Sequence, residues 1–181
     1  DAHVDVMGYA CLVAIMSMGR GYHCVSEVNL HQETVANDFP TPIVTSAGAL
    51  INGLKVLGAK QISIITPYMR PLTDMVVDYI ENQGIKVKQS IALEIPDNLE
   101  VAAQNPMNLL EIYKQLDLTD VDVLVASACV QMPSLEAIDL IQAECGIPVT
   151  SAAVCTTYEM MKKLGIEAKS AIGGELLSGK Y

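Results

Sequence analysis

The run Val121-Asp122-Val123-Leu124-Val125-Ala126-Ser127-Ala128-Cys129 decides the fold. A short, continuous β-branched stretch reads as a strand covered on both faces, here ending in small residues and a cysteine. Val4-Asp5-Val6-Met7-Gly8-Tyr9-Ala10-Cys11 resembles it, with one insertion between the two. Downstream of each comes a second match. Pro42-Ile43-Val44-Thr45-Ser46-Ala47 resembles Ile147-Pro148-Val149-Thr150-Ser151-Ala152, and each is followed by a helical stretch ending in Leu-Gly, at Leu57-Gly58 and Leu164-Gly165. The repeated unit is strand–Ala-Cys, then strand–Thr-Ser-Ala–helix.

Outward from this repeat, strand and helix signals alternate, as in α/β proteins with parallel sheets. Strands are expected at His3–Tyr9, Pro42–Thr45, Gln61–Thr66, Ile85–Leu93, Val121–Ala126 and Ile147–Thr150. Lys86 and Lys88 alternate with Ile85 and Val87, which marks an edge strand. Leu72, Met75, Val76, Tyr79 and Ile80 make one helical face, opened by Pro71 and closed by Gly84. Leu135, Ile138, Ile141 and Cys145 make another, with Pro133 at its start and Gly146 after it. Ala49–Leu57, Met107–Leu116 and Ala153–Leu164 complete the helices, while Gly21–Phe39 is polar and irregular and takes no assignment. The expected architecture is two pseudo-symmetric, three-layer parallel-sheet halves with the active site between them. The first half spans 1–59 plus about 170–181, and the second 60–169.

The composition narrows the function. The 181 residues carry a net charge of −10 and only 18% charged residues, with 51% apolar. So acidic a surface disfavours nucleic acid and anionic membranes. The most apolar stretch, Val6 to Gly19, is too short to span a bilayer. The five cysteines are odd in number and have no Cys-x-x-Cys spacing, so free thiols in a reducing cytoplasm are expected rather than a disulfide framework or zinc site. His3, His23 and His31 have no metal-ligand spacing. Gly174 to Lys180 imitates a P-loop start, but Tyr181 replaces the Ser or Thr.

The repeat puts Cys11 and Cys129 at the carboxyl ends of strands, the edge where open α/β sheets bind ligands. Facing each other across a pseudo-two-fold, they would flank one cleft. A cysteine beside a helix N-terminus has its thiolate favoured. Leu12 and Val13 open the segment after Cys11, and Pro133 marks a helix just past Cys129. Paired cysteines suit racemisation, one taking a proton and the other returning it. They equally suit conjugate addition to an activated alkene, with one as nucleophile and the other managing the proton. Either cysteine alone could be a small core hydrophobe, and Cys145, Cys24 and Cys155 are read that way. Tyr68 ends a strand after Pro67, where its hydroxyl could reach the cleft or simply mark a boundary. Asn98, in Pro96-Asp97-Asn98, has turn chemistry.

These residues resemble a known family. Gly8-Tyr9-Ala10-Cys11-Leu12-Val13-Ala14 is similar to the first cysteine motif of bacterial maleate cis-trans isomerases, in the aspartate/glutamate racemase superfamily. Ser127-Ala128-Cys129-Val130-Gln131-Met132-Pro133-Ser134-Leu135 is similar to the second. Thr66-Pro67-Tyr68-Met69-Arg70-Pro71-Leu72 and Pro42 to Leu50 also look like that family, so the likeness runs through essentially the whole chain.

The resemblance implies isomerisation of maleate to fumarate without a cofactor or metal. The Cys11 thiolate would add to the alkene, the new single bond would rotate, and elimination would release the trans isomer, with Cys129 as acid and base. Tyr68, Asn98 and the amides after each cysteine, at Leu12, Val13 and Val130, would hold the two carboxylates. The partners implied are the small dicarboxylate and further copies of the chain as a homo-oligomer. The family also carries an N-terminal strand whose loop bears a carboxylate-binding Asn. Only ten residues precede Cys11, and the chain starts with Asp1, so it reads as a fragment, processed form or truncated chain. Two other readings stand beside this one. One is another two-cysteine enzyme of the superfamily, of aspartate/glutamate racemase or malonate decarboxylase type. No acidic residue flanks either cysteine motif to meet an amino-acid ammonium group, and arylmalonate-type decarboxylases usually have one active-site cysteine. The other is an inactive, truncated carboxylate-binding fragment.

Overall fold

The structure is a computed structural model describing residues 3–181, so the first two residues of the expected first half lie outside it. Six strands form two parallel sheets among the described residues. In the first, β1 (Met7–Tyr9) pairs with β2 (Ile43–Thr45), Tyr9 opposite Thr45. The second contains β3 (Gln61–Thr66), β4 (Lys86–Ala92), β5 (Val123–Ser127) and β6 (Val149–Ser151), in the order β4-β3-β5-β6. The edge position expected for the lysine-bearing strand is where β4 lies. Its Lys88 ammonium is held outside by Asp117 at 2.7 Å. The central strands β3 and β5 are buried from Ile62 and Val123 onward, which is why they read as unbroken apolar runs.

The internal repeat is visible in three dimensions. Cys11 and Cys129 each sit two positions past the last strand residue, Tyr9 and Ser127. The second unit of each half is a three-residue strand running into a helix, β2 into α3 (Ser46–Val56) and β6 into α8 (Ala152–Lys163). Both helices begin on a hydroxyl cap, which satisfies an amide the helix itself leaves unpaired. Thr45 Oγ1 accepts from the Gly48 N–H at 3.1 Å, and Ser151 Oγ from the Val154 N–H at 3.2 Å. The helices pack on each other where a Cβ at Gly53 would come within 2.6 Å of Cys155 Sγ, a closeness only glycine permits. The segment after Ser170 lies over this junction. Gly173 and Gly174 donate to Asp139 of α7 (Leu135–Cys145), and Leu176 reaches Gly53.

Four expectations change. The irregular stretch after Gly21 is a helix, α2 (Tyr22–Ala36), following the short α1 (Leu12–Met16). Only His23 and Ser26 of α2 are buried, and Val25, Val28 and Val35 face solvent, so no apolar stripe announces it. The first strand covers Met7–Tyr9 and not His3–Val6. The expected helix Met107–Leu116 is a 3-10 turn, then α6 (Leu109–Ile112), then another 3-10 turn. Its buried side chains Leu109, Tyr113 and Leu116 keep helical spacing while the hydrogen bonding changes. Leu135 is exposed rather than part of the α7 face, where Ala137, Ile138 and Ile141 are buried.

Candidate active site

The two repeat cysteines open into one cavity of about 360 Å³. Its lining includes every residue expected at the site: Cys11, Leu12 and Val13 from one half, and Tyr68, Asn98, Cys129 and Val130 from the other. Gln131, Leu72, Ala10 and Ala14 also line it and were not singled out in the sequence.

Strand order explains the convergence. The chain beyond β4 continues alongside β3, with Leu93 N–H donating to Thr66 and Ile95 N–H to Pro67. Glu94, at a left-handed φ of 54°, turns that segment, and Asn98 opens α5 (Asn98–Ala102) behind the Asp97 cap. Thr66 and Thr73 join their hydroxyls at 2.6 Å, tying the end of β3 to α4 (Arg70–Glu81), which brings Leu72. On the other side of β3, Ala128 N–H donates to Ile65, which sets the start of the cysteine loop.

The two cysteines are not equivalent. Cys11 is exposed and is the N-cap residue of α1, so the Leu12 and Val13 amides start a helix and have no helical partner. Cys129 is half-buried in a loop, and its helix does not follow at once. Pro133 lies before α7 rather than at its first turn, and α7 begins at Leu135. The Cys129 N–H is engaged by Ser127 Oγ at 3.2 Å, which leaves Val130 as the first free amide of that loop among the described residues. The expected helix terminus therefore exists at Cys11 and not at Cys129.

Among the described residues, no charged side chain lines the cavity. Tyr68 Oη lies 3.4 Å from the Ala128 carbonyl. Burial pushes the Tyr68 phenol far above its usual value, and the neighbouring Cys129 and Cys11 sulfurs add to the shift. A phenol so placed stays protonated and is a donor. The site thus offers neutral donors, two thiols and apolar walls. That set can hold a planar dianion by hydrogen bonds while a sulfur attacks it.

Residues 5–177 match the arylmalonate decarboxylase family. The chain is 54% identical over 181 residues to the maleate isomerase of Geobacillus stearothermophilus, covering 100% of this chain and 72% of that one. The chain belongs to the maleate isomerase family. Solved members of that family superpose closely. A cysteine-to-alanine variant of maleate isomerase Iso from Pseudomonas putida S16, crystallised with maleate, gives a TM-score of 0.99 at 57% identity, over 100% of this chain and 72% of that one. The maleate cis-trans isomerase of Nocardia farcinica, as a cysteine-to-serine variant with a covalently bound succinylcysteine intermediate, gives 0.95 at 38% identity, over 100% and 74%. The pseudo-symmetric arrangement seen here is thus that of maleate isomerases.

The cysteines outside the cavity divide differently from the sequence reading. Cys155 is fully buried beside Thr150 Oγ1 at 3.3 Å, and Cys145 is half-buried on α7. Cys24, expected in the core, is exposed on α2. His23 and His31 serve structure, His23 Nδ1 against Tyr79 Oη and His31 Nδ1 against the Thr41 carbonyl at 2.8 Å. Among the described residues, no helix is long and apolar enough to cross a membrane.

Proposed function

We propose that this chain converts maleate to fumarate by reversible addition of Cys11 to the alkene. The supporting observation is the single cavity that joins Cys11 and Cys129 with Tyr68, Asn98 and the open amides after Cys11. The Cys11 thiolate attacks one alkene carbon, forming a C–S bond as the π pair moves to the adjacent carbon. The Cys129 thiol gives its proton to that carbon, leaving a succinyl thioether and a Cys129 thiolate. The former double bond is now single and rotates. Cys129 then recovers a proton from the same carbon as the C–S bond breaks, and fumarate leaves with both sulfurs in their starting states. No electrons or atoms are consumed, so the cycle needs no cofactor.

The difference between the cysteines supports the roles. Cys11 borders unpaired helix-start amides, which favour an anion. Cys129 lies beside the buried Tyr68 hydroxyl, in a drier environment suited to a proton carrier. Carboxylates held by Tyr68, Asn98, Leu12, Val13 and Val130 meet donors without a fixed charge. The intermediate can then rotate one carboxylate without breaking a buried ion pair, a loss of several kcal/mol in such settings (about 3–5). The succinylcysteine in the Nocardia farcinica relative is the species this route requires. Free thiols at the site agree with a reducing cytoplasm.

The test is to incubate the chain with maleate and follow fumarate by proton NMR, with Cys11→Ala beside it. Fumarate from the chain and none from the variant is expected. No fumarate from folded protein contradicts the proposal and favours a carboxylate-binding role.

A further inference from the structure

We propose that Gln131 is a positioning residue that sets the separation between Cys129 and Asn98. The inference rests on the isomerase reading for its consequence, though not for the contact itself. Gln131 follows Cys129 by two positions in the loop between β5 and α7, and lines the cavity. Its Nε2 donates to the Asn98 main-chain carbonyl at 2.8 Å, across 33 positions of sequence. Only the amide end of Gln131 can face a carbonyl, so the contact also fixes which way the carboxamide points. Among the described residues, no other side-chain hydrogen bond joins loop 128–134 to α5.

The rest of the loop shows why that bond matters. Its start is well held, by Ala128 N–H on Ile65 and by Ser127 on both backbone polar groups of Cys129. Beyond Cys129 the amides of Val130 and Gln131 make no protein hydrogen bond among the described residues. The opposite wall is also loosely anchored. α5 is five residues long, and Val101 is its one buried side chain. Gln131 bridges these two weakly held segments at the rim, where it and Asn98 are both exposed. Asn98 would hold a carboxylate and Cys129 would move a proton one carbon away. An error of about 1 Å in such a separation costs on the order of a hundredfold in rate. The bond acts through Asn98 and Cys129, not on the substrate.

The test compares Gln131→Met, which keeps length and loses the donor, with Gln131→Ala. Hydrogen–deuterium exchange is read over 97–103 and 128–134, and kcat and KM with maleate as substrate. Faster exchange in both segments is expected in both variants, with kcat lower by about three- to tenfold and a smaller change in KM. Cys11 alkylation by iodoacetamide should keep its wild-type rate. Unchanged exchange over 97–103 overturns the proposal whatever the activity. Faster exchange with unchanged kcat also overturns it, as does a loss confined to KM, which would mark a direct substrate contact. If exchange rises while wild type itself converts no maleate, the tie stands and the isomerase reading falls.

Discussion

Ser127 closes its hydroxyl on both backbone groups of Cys129. Its Oγ donates to the Cys129 carbonyl at 2.8 Å and accepts from the Cys129 N–H at 3.2 Å. The corresponding place before Cys11 is held by Tyr9, which is half-exposed and makes no such clamp. Among the described residues, both cysteines are followed by free amides, Leu12 and Val13 at a helix start and Val130 and Gln131 in a loop, but only Cys129 has its own backbone groups clamped by a side chain.

Removing that clamp should matter to the reaction more than to the fold. Ser127→Ala leaves two backbone groups of a half-buried loop seeking other partners, a cost of about 1–3 kcal/mol. We expect kcat to fall about three- to tenfold, with the melting temperature down by a few degrees. Steady-state kinetics and thermal unfolding check this. An unchanged kcat would mean that the loop holds Cys129 without Ser127.

Tyr68→Phe removes the hydroxyl proposed to donate to a carboxylate and leaves the ring in place. A hydrogen bond to a charged group is worth about 1.5–3 kcal/mol, so kcat/KM should fall about ten- to hundredfold. Because burial raises the Tyr68 phenol, its ionisation should produce no loss of activity up to about pH 10. A pH titration of phenolate absorbance should show several tyrosines of the native protein resisting ionisation, Tyr79, Tyr113, Tyr158 and Tyr181 among them, and one fewer in the variant.

Cys155 gives a stability prediction with a definite sign. Burial pushes its thiol up to about 12 from a usual value of 9.0. A folded-state value above the unfolded one gives stability that is whole below pH 9 and is lost as pH rises toward 12. Thermal unfolding between pH 8 and 11 should show a falling midpoint, with a shallower slope in Cys155→Ala. In native protein a thiol reagent should label Cys11 and Cys24 readily and leave Cys155 untouched until unfolding.

Gly53→Ala tests the junction of the halves. Its Cβ would meet Cys155 Sγ at 2.6 Å and Leu176 Cδ2 at 3.2 Å. Overpacking of this kind costs about 1–3 kcal/mol, so the melting temperature should drop by several degrees. The double variant with Cys155→Ala should recover part of the loss. Equal losses in single and double variants would show that the strain lies elsewhere.

The fold was legible where burial imposes a period. The strands β2, β3, β5 and β6 and the helices α4 and α8 follow from short apolar runs and helical spacing, because each is pressed against a core, whereas the edge strand β4 is marked by its lysine alternation and the exposed β1 by the repeat. α2 was not legible, since its Val25, Val28 and Val35 point to water and leave no stripe to read. The lining of the cavity was legible because the repeat marks Cys11 and Cys129, and the family resemblance adds Tyr68, Asn98 and the amides proposed to hold the carboxylates. Gln131 was quoted within a motif yet carried no role, because its partner is a main-chain carbonyl that no side-chain pattern reveals. The unequal surroundings of the cysteines were equally hidden. Pro133 looked like a helix start beside Cys129, whereas the chain spends Val130 to Ser134 in a loop before α7 begins.

The central claim is that Cys11 adds to the alkene while Cys129 moves the proton. The most direct measurement is intact-mass and peptide mass spectrometry of Cys129→Ser after brief exposure to maleate. The account predicts one maleic acid adduct per chain, carried on Cys11 as a succinyl thioether, and none in Cys11→Ala. An adduct on the peptide that carries the substituted position, or on any other cysteine, would contradict it, as would full turnover by Cys11→Ala.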